Sequence, residues 1–196
     1  RPDNAQAAAK VLNEGGFKAV AQEADLASRD SVRALIARAQ GLGDIALMVN
    51  AAGVSPSQAP IEAILAVDLY GTAMLLEVMG EAIAPGGAGV TISSQSGHRL
   101  PQLSVEEDEL LACTPAEELL SLDMLQPRNI RDELHAYQLA KRCNEKRVMA
   151  EAVRWGRRGA RVNSISPGII VTPLAIDEFN GPRGEFYKNM FANCPA

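Results

Sequence analysis

The stretch Ile45-Ala46-Leu47-Met48-Val49-Asn50, followed at once by Ala51-Ala52-Gly53, decides the fold. A continuous apolar run of this kind reads as a strand buried on both faces, as in a parallel sheet. The small residues behind it let the backbone approach a flat ligand closely. Residues 89–94 (GVTISS) are a second such strand and residues 160–166 (ARVNSIS) a third, ended by Pro167-Gly168. Upstream, residues 17–24 (FKAVAQEA) alternate loosely and predict a short strand.

Helical patterns fill the gaps. Residues 3–13 are Ala-rich and stop at Gly15-Gly16. Residues 31–40 carry Val32, Leu35 and Ile36 at helical spacing, behind N-cap candidates at residues 28–31. Residues 61–84 form a long apolar helix, and residues 132–155 another, stopped by Gly156. Strands alternating with helices predict an α/β chain: a doubly wound parallel sheet of Rossmann type, with helices on both faces and right-handed crossovers. Residues 1–196 read as one domain.

The chain has 19 Lys+Arg against 24 Asp+Glu, a net charge of −5. Mild acidity without a Lys/Arg cluster argues against nucleic acid as a partner. No apolar run approaches the ~18–20 residues that span a bilayer, so no membrane partner is expected, and no secretory signal is visible. Cys113, Cys143 and Cys194 are odd in number and widely spaced. They form neither a disulfide framework nor a zinc pattern, so the reading is a cytoplasmic protein without a metal.

In such sheets ligands bind at the carboxyl ends of the strands. Here those ends are Asp25, residues 50–53, Ser93-Ser94 and residues 167–172. Tyr137 and Lys141 stand four apart in a predicted helix, which puts both on one face. An ammonium near a phenol stabilises the phenolate and lowers its pKa from ~10. A tyrosine so tuned exchanges a proton with an alcohol or carbonyl oxygen near neutral pH. Taken singly, each motif has a plain structural reading as a solvated helix pair or a turn.

Together they are far more specific. Asp25-Leu26, Asn50-Ala51-Ala52-Gly53, Ser93-Ser94-x-x-Gly97, Tyr137-x-x-x-Lys141 and Asn163-x-x-x-Pro167-Gly168 occur in one order, each after the expected element. Over nearly its whole length the chain resembles the short-chain dehydrogenase/reductase family. The resemblance implies that Asp25 contacts the adenine amino group, with Leu26 beside it, and that Asn50, Ala51, Ala52 and Gly53 line the adenosine ribose side. It makes Ser94 the serine that polarises the substrate, Tyr137 the general acid/base, and Lys141 the holder of the nicotinamide ribose. Pro167, Gly168, the backbone of Ile170 and the hydroxyl of Thr172 would grip the carboxamide. The cofactor would be NAD or NADP and the partner a small alcohol or ketone.

The chain departs from the family at four places. The family's opening strand, glycine-rich turn, helix and second strand precede the position matched by Arg1, and its closing helix and strand follow residue 196, so a longer natural protein is expected at both ends. The residue that selects NAD or NADP would lie just before Arg1. Asp68 stands where the family has an asparagine whose main-chain carbonyl serves a proton relay; a carboxylate there alters the charge near Lys141. Lastly, Ser94 and Tyr137 are 43 residues apart, so residues 100–131 form an insertion. Its apolar spacing predicts one or two short helices, and Ser104–Glu107 and Thr114–Glu117 read as capping boxes. The insertion is expected to roof the substrate pocket or to alter subunit contacts.

The expected function is hydride transfer between a nicotinamide cofactor and a secondary alcohol or ketone. A similar insertion in a bacterial hydroxysteroid dehydrogenase subgroup points to a bulky apolar substrate. The alternative is a non-catalytic dinucleotide-sensing or interaction protein. His98 reads as a surface or capping residue, and His135 points away from Tyr137. The stripe at residues 73–79 reads as core or interface. The resemblance implies that this helix and the Tyr–Lys helix pair across a two-fold axis in a homodimer or homotetramer.

Overall fold

In the computed structural model, which describes residues 2–193, three strands form one parallel sheet in the order β1-β2-β3. They are β1 (Leu47–Asn50), β2 (Ala88–Ile92) and β3 (Arg161–Ile165). The register sets Met48 beside Gly89 and Gly89 beside Val162 on one face, and Leu47, Ala88 and Arg161 in the next row on the other. Two helical crossovers join the strands. The first is α3 (Ile61–Ile64), a π-helical turn at Leu65–Gly71, and α4 (Thr72–Ala82). The second ends in α8 (Glu133–Arg157), capped by Asp132, whose side chain accepts from the His135 N–H. α8 packs on β3 and on α4, and fully buried Trp155 donates from Nε1 to the Leu76 carbonyl at 3.2 Å.

The parallel sheet with flanking helices is the expected fold class, and several details differ from the sequence reading. Residues 17–24 are not a strand. The backbone N–H and C=O of Ala19 pair with the side-chain amide of Asn13 instead (2.9 Å each), and Phe17 and Val20 are exposed. The physical reason is the lack of a partner: among the described residues nothing pairs with β1 on its free edge. Nor do helices cover both faces of the sheet as expected: among the described residues they pack on the Met48 face, so β1 is buried on that face alone. Met48 is 8% exposed but Leu47 75%.

Ile61–Ala82 is one continuous helix of 22 residues, long and apolar enough by length and composition to cross a membrane. The apolar run itself is interrupted by Asp68 and Glu77. Two-thirds of its apolar window (67%) is buried inside the protein, and Met74, Leu76 and Leu69 are fully enclosed, so it packs as a core helix. α8 runs through Gly156, and the chain turns at Gly159, whose φ of 73° lies in the left-handed region. Upstream, α1 (Pro2–Glu14) precedes α2 (Arg29–Gln40), where the Ser28 side chain accepts from the Ser31 N–H.

After β2 come α5 (Gln95–His98), α6 (Val105–Cys113) and α7 (Ala116–Leu119), with 3-10 turns at Asp123–Leu125 and Pro127–Asn129. Ser104 and Glu107 form the capping box of α6. The second box does not form. Thr114 instead closes α6 by donating to the Leu110 carbonyl, and the Ala116 N–H goes to Glu77 at 2.9 Å. Glu117 turns outward to Arg29 and Tyr70. α6 and α7 lie on the outer faces of α8 and α4, with Leu111 and Leu119 fully buried there. Asp108, from the acidic run, pairs with Arg142 (2.7 Å) and Lys146 (2.9 Å) of α8. These contacts cover part of the faces that the resemblance would pair between subunits, while Met149 and Val153 of α8 stay exposed. The final described elements are α9 (Pro173–Asn180) and α10 (Gly184–Ala192); Arg1 and Cys194 lie outside the described residues.

Candidate active site

Ser94 extends β2 and caps α5, its hydroxyl accepting from the Ser96 N–H at 3.1 Å. α5 lies directly on α8 because of Gly97. A Cβ there would stand 2.8 Å from the Arg142 nitrogen and 2.9 Å from the Lys141 carbonyl carbon, both backbone atoms. That approach brings Ser94 close enough to Tyr137 to favour its phenolate. One helical turn on from Tyr137, Lys141 places its ammonium 5.3 Å from the Tyr137 ring centre and donates to the Ile92 carbonyl at 3.3 Å. The three residues meet at the carboxyl end of the sheet, where a ligand is expected.

Asp68 sits at the π-helical turn, fully buried. Its Oδ1 accepts from the Val54 N–H at 2.9 Å and lies 2.8 Å from where a Cβ on Gly53 would stand. Its Oδ2 is buried without a hydrogen-bond partner among the described residues. Burial raises the Asp68 carboxyl to about 6, opposed by Lys141 and by the Val54 hydrogen bond. Burial lowers Lys141, and Asp68 opposes that shift. With its amide turned so that the nitrogen faces the Asp68 and Ala140 carbonyls, Asn144 donates to them at 2.9 and 3.1 Å.

Tyr137 corrects one expectation. Its hydroxyl is not lowered but pushed up to about 12, first by burial and then by the Asp68 charge, with the Ser94 hydrogen bond opposing and Glu178 and Tyr187 adding to the rise. The ammonium lies over the ring rather than at the hydroxyl, and the neighbouring carboxylate offsets its charge.

A cavity of about 340 Å³ gathers most of the residues picked from the sequence. Ala51, Ala52 and Gly53 form one wall; Ser94, Tyr137 and Lys141 the floor; Pro167, Gly168, Ile170 and Thr172 the other wall. Thr172 also caps α9, its hydroxyl accepting from the Ala175 N–H at 3.2 Å, which leaves its proton free to donate. Asp25, Leu26 and Asn50 do not line this cavity. Asp25 accepts from the Ala27 N–H in its own turn, Leu26 packs against Gly71, and Asn50 is buried, donating to Thr72 and accepting from Ala52. None of residues 100–131 lines the cavity either, so the segment does not roof it.

Residues the sequence reading missed complete the site. The cavity is closed by Glu178, Phe179, Tyr187 and Met190 from α9 and α10, together with Leu134. Glu178 Oε1 accepts from Ser55 (2.5 Å) and Ser57 (3.0 Å), tying α9 to the loop behind Gly53. Beneath Ser94, Glu145 Oε1 accepts from Ser93 (3.2 Å) and Ser166 (2.8 Å) and pairs with His98 (2.9 Å). This binds the end of β2 to the end of β3. Cys143 is inert, its thiol buried, raised to about 12 and directed at the Leu111 carbonyl.

The residues fit a nicotinamide riboside. The wall of small side chains admits a flat ring, and Lys141 offers donors with only a 3.3 Å carbonyl as acceptor. The chain matches the family model for short chain dehydrogenases over residues 1–105 and that for enoyl-(acyl carrier protein) reductases over residues 110–195. It is 36% identical over 192 residues to the short-chain dehydrogenase/reductase bsc3 of Alternaria brassicicola, covering 97% of this chain and 69% of that one. It is 29% identical to D-threitol dehydrogenase of Mycolicibacterium smegmatis, covering 95% and 68%. Among solved structures, the 3-alpha-hydroxysteroid dehydrogenase of Pseudomonas sp. B-0831, complexed with NADH, superposes with a TM-score of 0.70 at 25% identity, covering 92% and 74%.

Proposed function

The chain belongs to the short-chain dehydrogenase/reductase family of oxidoreductases, and on that premise we propose that it interconverts a secondary alcohol and its ketone, with Ser94, Tyr137 and Lys141 as the reacting constellation. The observation that carries this reading is that the three side chains share one cavity with the small-residue wall 51–53 and the turn 167–172. A nicotinamide cofactor, NAD or NADP, supplies the hydride acceptor or donor when bound. Lys141 would hold its ribose, and Thr172 with the backbone of Pro167 to Ile170 its carboxamide.

The chain's own part is orientation and proton transfer. Ser94 donates to the substrate oxygen and fixes it beside Tyr137. In ketone reduction Tyr137 gives its proton to that oxygen; in alcohol oxidation it takes one. A positive charge brought close to the hydroxyl reverses part of the upward shift that burial causes. Asp68 holds the loop at Val54 and tempers Lys141. The bulky apolar substrate suggested by the sequence is supported by Leu134, Phe179 and Met190 in the cavity.

The test is a fluorescence titration of the full-length protein with NADH and with NADPH, then assay against secondary alcohols and ketones. Saturable binding of one cofactor and turnover of at least one alcohol–ketone pair are expected. Binding without any turnover across the panel favours the dinucleotide-sensing alternative.

A further inference from the structure

Glu178 stands where two cavities meet. The first holds Tyr137 and Lys141; the second, of about 600 Å³, opens alongside and shares Pro56, Glu178 and Tyr187 with it. A substrate whose reacting carbon sits at Tyr137 and whose body runs into the second cavity passes this carboxylate. Glu178 is fixed there by Ser55 (9% exposed) and Ser57, both bonded to Oε1. Among the described residues Oε2 has no hydrogen-bond partner, and Glu178 is partly exposed. The Glu178 charge reaches both tyrosines, raising Tyr137 and Tyr187. Around the second cavity Glu133 and Asp177 add negative charge against one cation, Arg183, whose Nη2 lies 3.7 Å from Asp132 and 3.6 Å from Glu133 and whose buried Nη1 has no hydrogen-bond partner among the described residues.

We propose that Glu178 is a specificity-determining residue: it accepts a hydrogen bond from a second hydroxyl on the substrate and turns away carboxylates. The substrate class is then a hydroxylated secondary alcohol or ketone with an apolar body. The inference rests on the oxidoreductase reading for the position of the reacting carbon. The chemistry is direct. A carboxylate is an acceptor-only group whose bonds to hydroxyl donors are charge-assisted. A second carboxylate brought beside it meets Glu133 and Asp177 as well as Glu178, with Arg183 the one cation among the second cavity's lining residues, and specificity arises as much from that repulsion as from the attraction.

The experiment measures affinity, not turnover. Cyclohexanol, cyclohexane-1,4-diol and 4-hydroxycyclohexanecarboxylate are titrated by calorimetry into the full-length protein saturated with reduced cofactor, where alcohols bind without reacting. The diol is expected to bind about tenfold tighter than the mono-ol, and the hydroxy acid about tenfold more weakly. In Glu178→Ala the three affinities converge to within about threefold. In Glu178→Gln, which keeps an acceptor and loses the charge, the penalty on the acid disappears while part of the preference for the diol remains. Equal affinity for mono-ol and diol in the unsubstituted protein overturns the proposal. So does a Glu178→Ala protein in which all three weaken by one common factor, since that marks a purely structural tie to Ser55 and Ser57. Affinities ordered as expected without turnover of any alcohol remove the oxidoreductase reading and leave this one; turnover with flat affinities does the reverse.

Discussion

Arg147 Nη2 lies 2.6 Å from Glu77 Oε1, and the guanidinium is only 2% exposed. The same guanidinium donates to the carbonyls of Ala112 and Thr114, while Glu77 also accepts from the Ala116 N–H and from Arg29. One buried ion pair therefore fastens α6 and α7 to the crossover helices. Glu77→Ala strands the Arg147 charge in the interior, whereas after Arg147→Ala the Glu77 carboxylate keeps Arg29. Glu77→Ala is expected to cost about 3–5 kcal/mol, and Arg147→Met with Glu77→Leu to recover much of it. Urea unfolding measures both. Hydrogen exchange in Glu77→Ala should loosen residues 105–119 before the sheet.

Asp68 gives a pH dependence with a definite sign. Its carboxyl is raised from 3.8 to about 6 by burial, so the folded state binds its proton more tightly than the unfolded one. The associated stability is fully present below the unfolded value and is lost as pH rises through about 6. Asp68→Asn should therefore be more stable than the unsubstituted protein by about 2–3 kcal/mol at pH 8, with the gain fading to nothing near pH 4. Unfolding curves at several pH values check it; a gain independent of pH contradicts the assignment.

Gly97→Ala should damage both fold and site. The added methyl meets backbone of α8 at 2.8–2.9 Å, and backbone does not rotate away. A loss of about 1–3 kcal/mol is expected. α5 must lift, taking Ser94 from Tyr137, so kcat should fall by about 100-fold. Cofactor affinity, which does not depend on Ser94, should change little.

Much of this was legible locally. Residues 45–50 show a strand from the apolar run alone, and Tyr137 and Lys141 share a helix face by spacing alone. Asn50 shows where such reading stops. Strand alternation already puts Asn50 on the same face as buried Met48, toward the helices and away from the cavity. Motif order had placed it beside the cofactor. Residues 17–24 carry a strand-like pattern but find no partner among the described residues, and a strand is not a local structure. Glu178 and Tyr187 were invisible because tertiary docking brings α9 and α10 onto the loop at residues 54–57. The one signal was Thr172-Pro173, an N-cap followed by proline at the first helical position, which announces a helix there but not what it covers. The rise in the Tyr137 pKa could not be read from spacing either, since it follows from burial and from Asp68, 69 residues earlier.

The central claim is that Tyr137 moves the proton in alcohol–ketone interconversion. The most direct measurement compares the unsubstituted protein with Tyr137→Phe, following reduced cofactor by absorbance and cofactor affinity by fluorescence on the same samples. The account predicts that turnover falls by about 10²–10⁴-fold while cofactor affinity stays within about threefold. Turnover that survives the loss of the hydroxyl contradicts it.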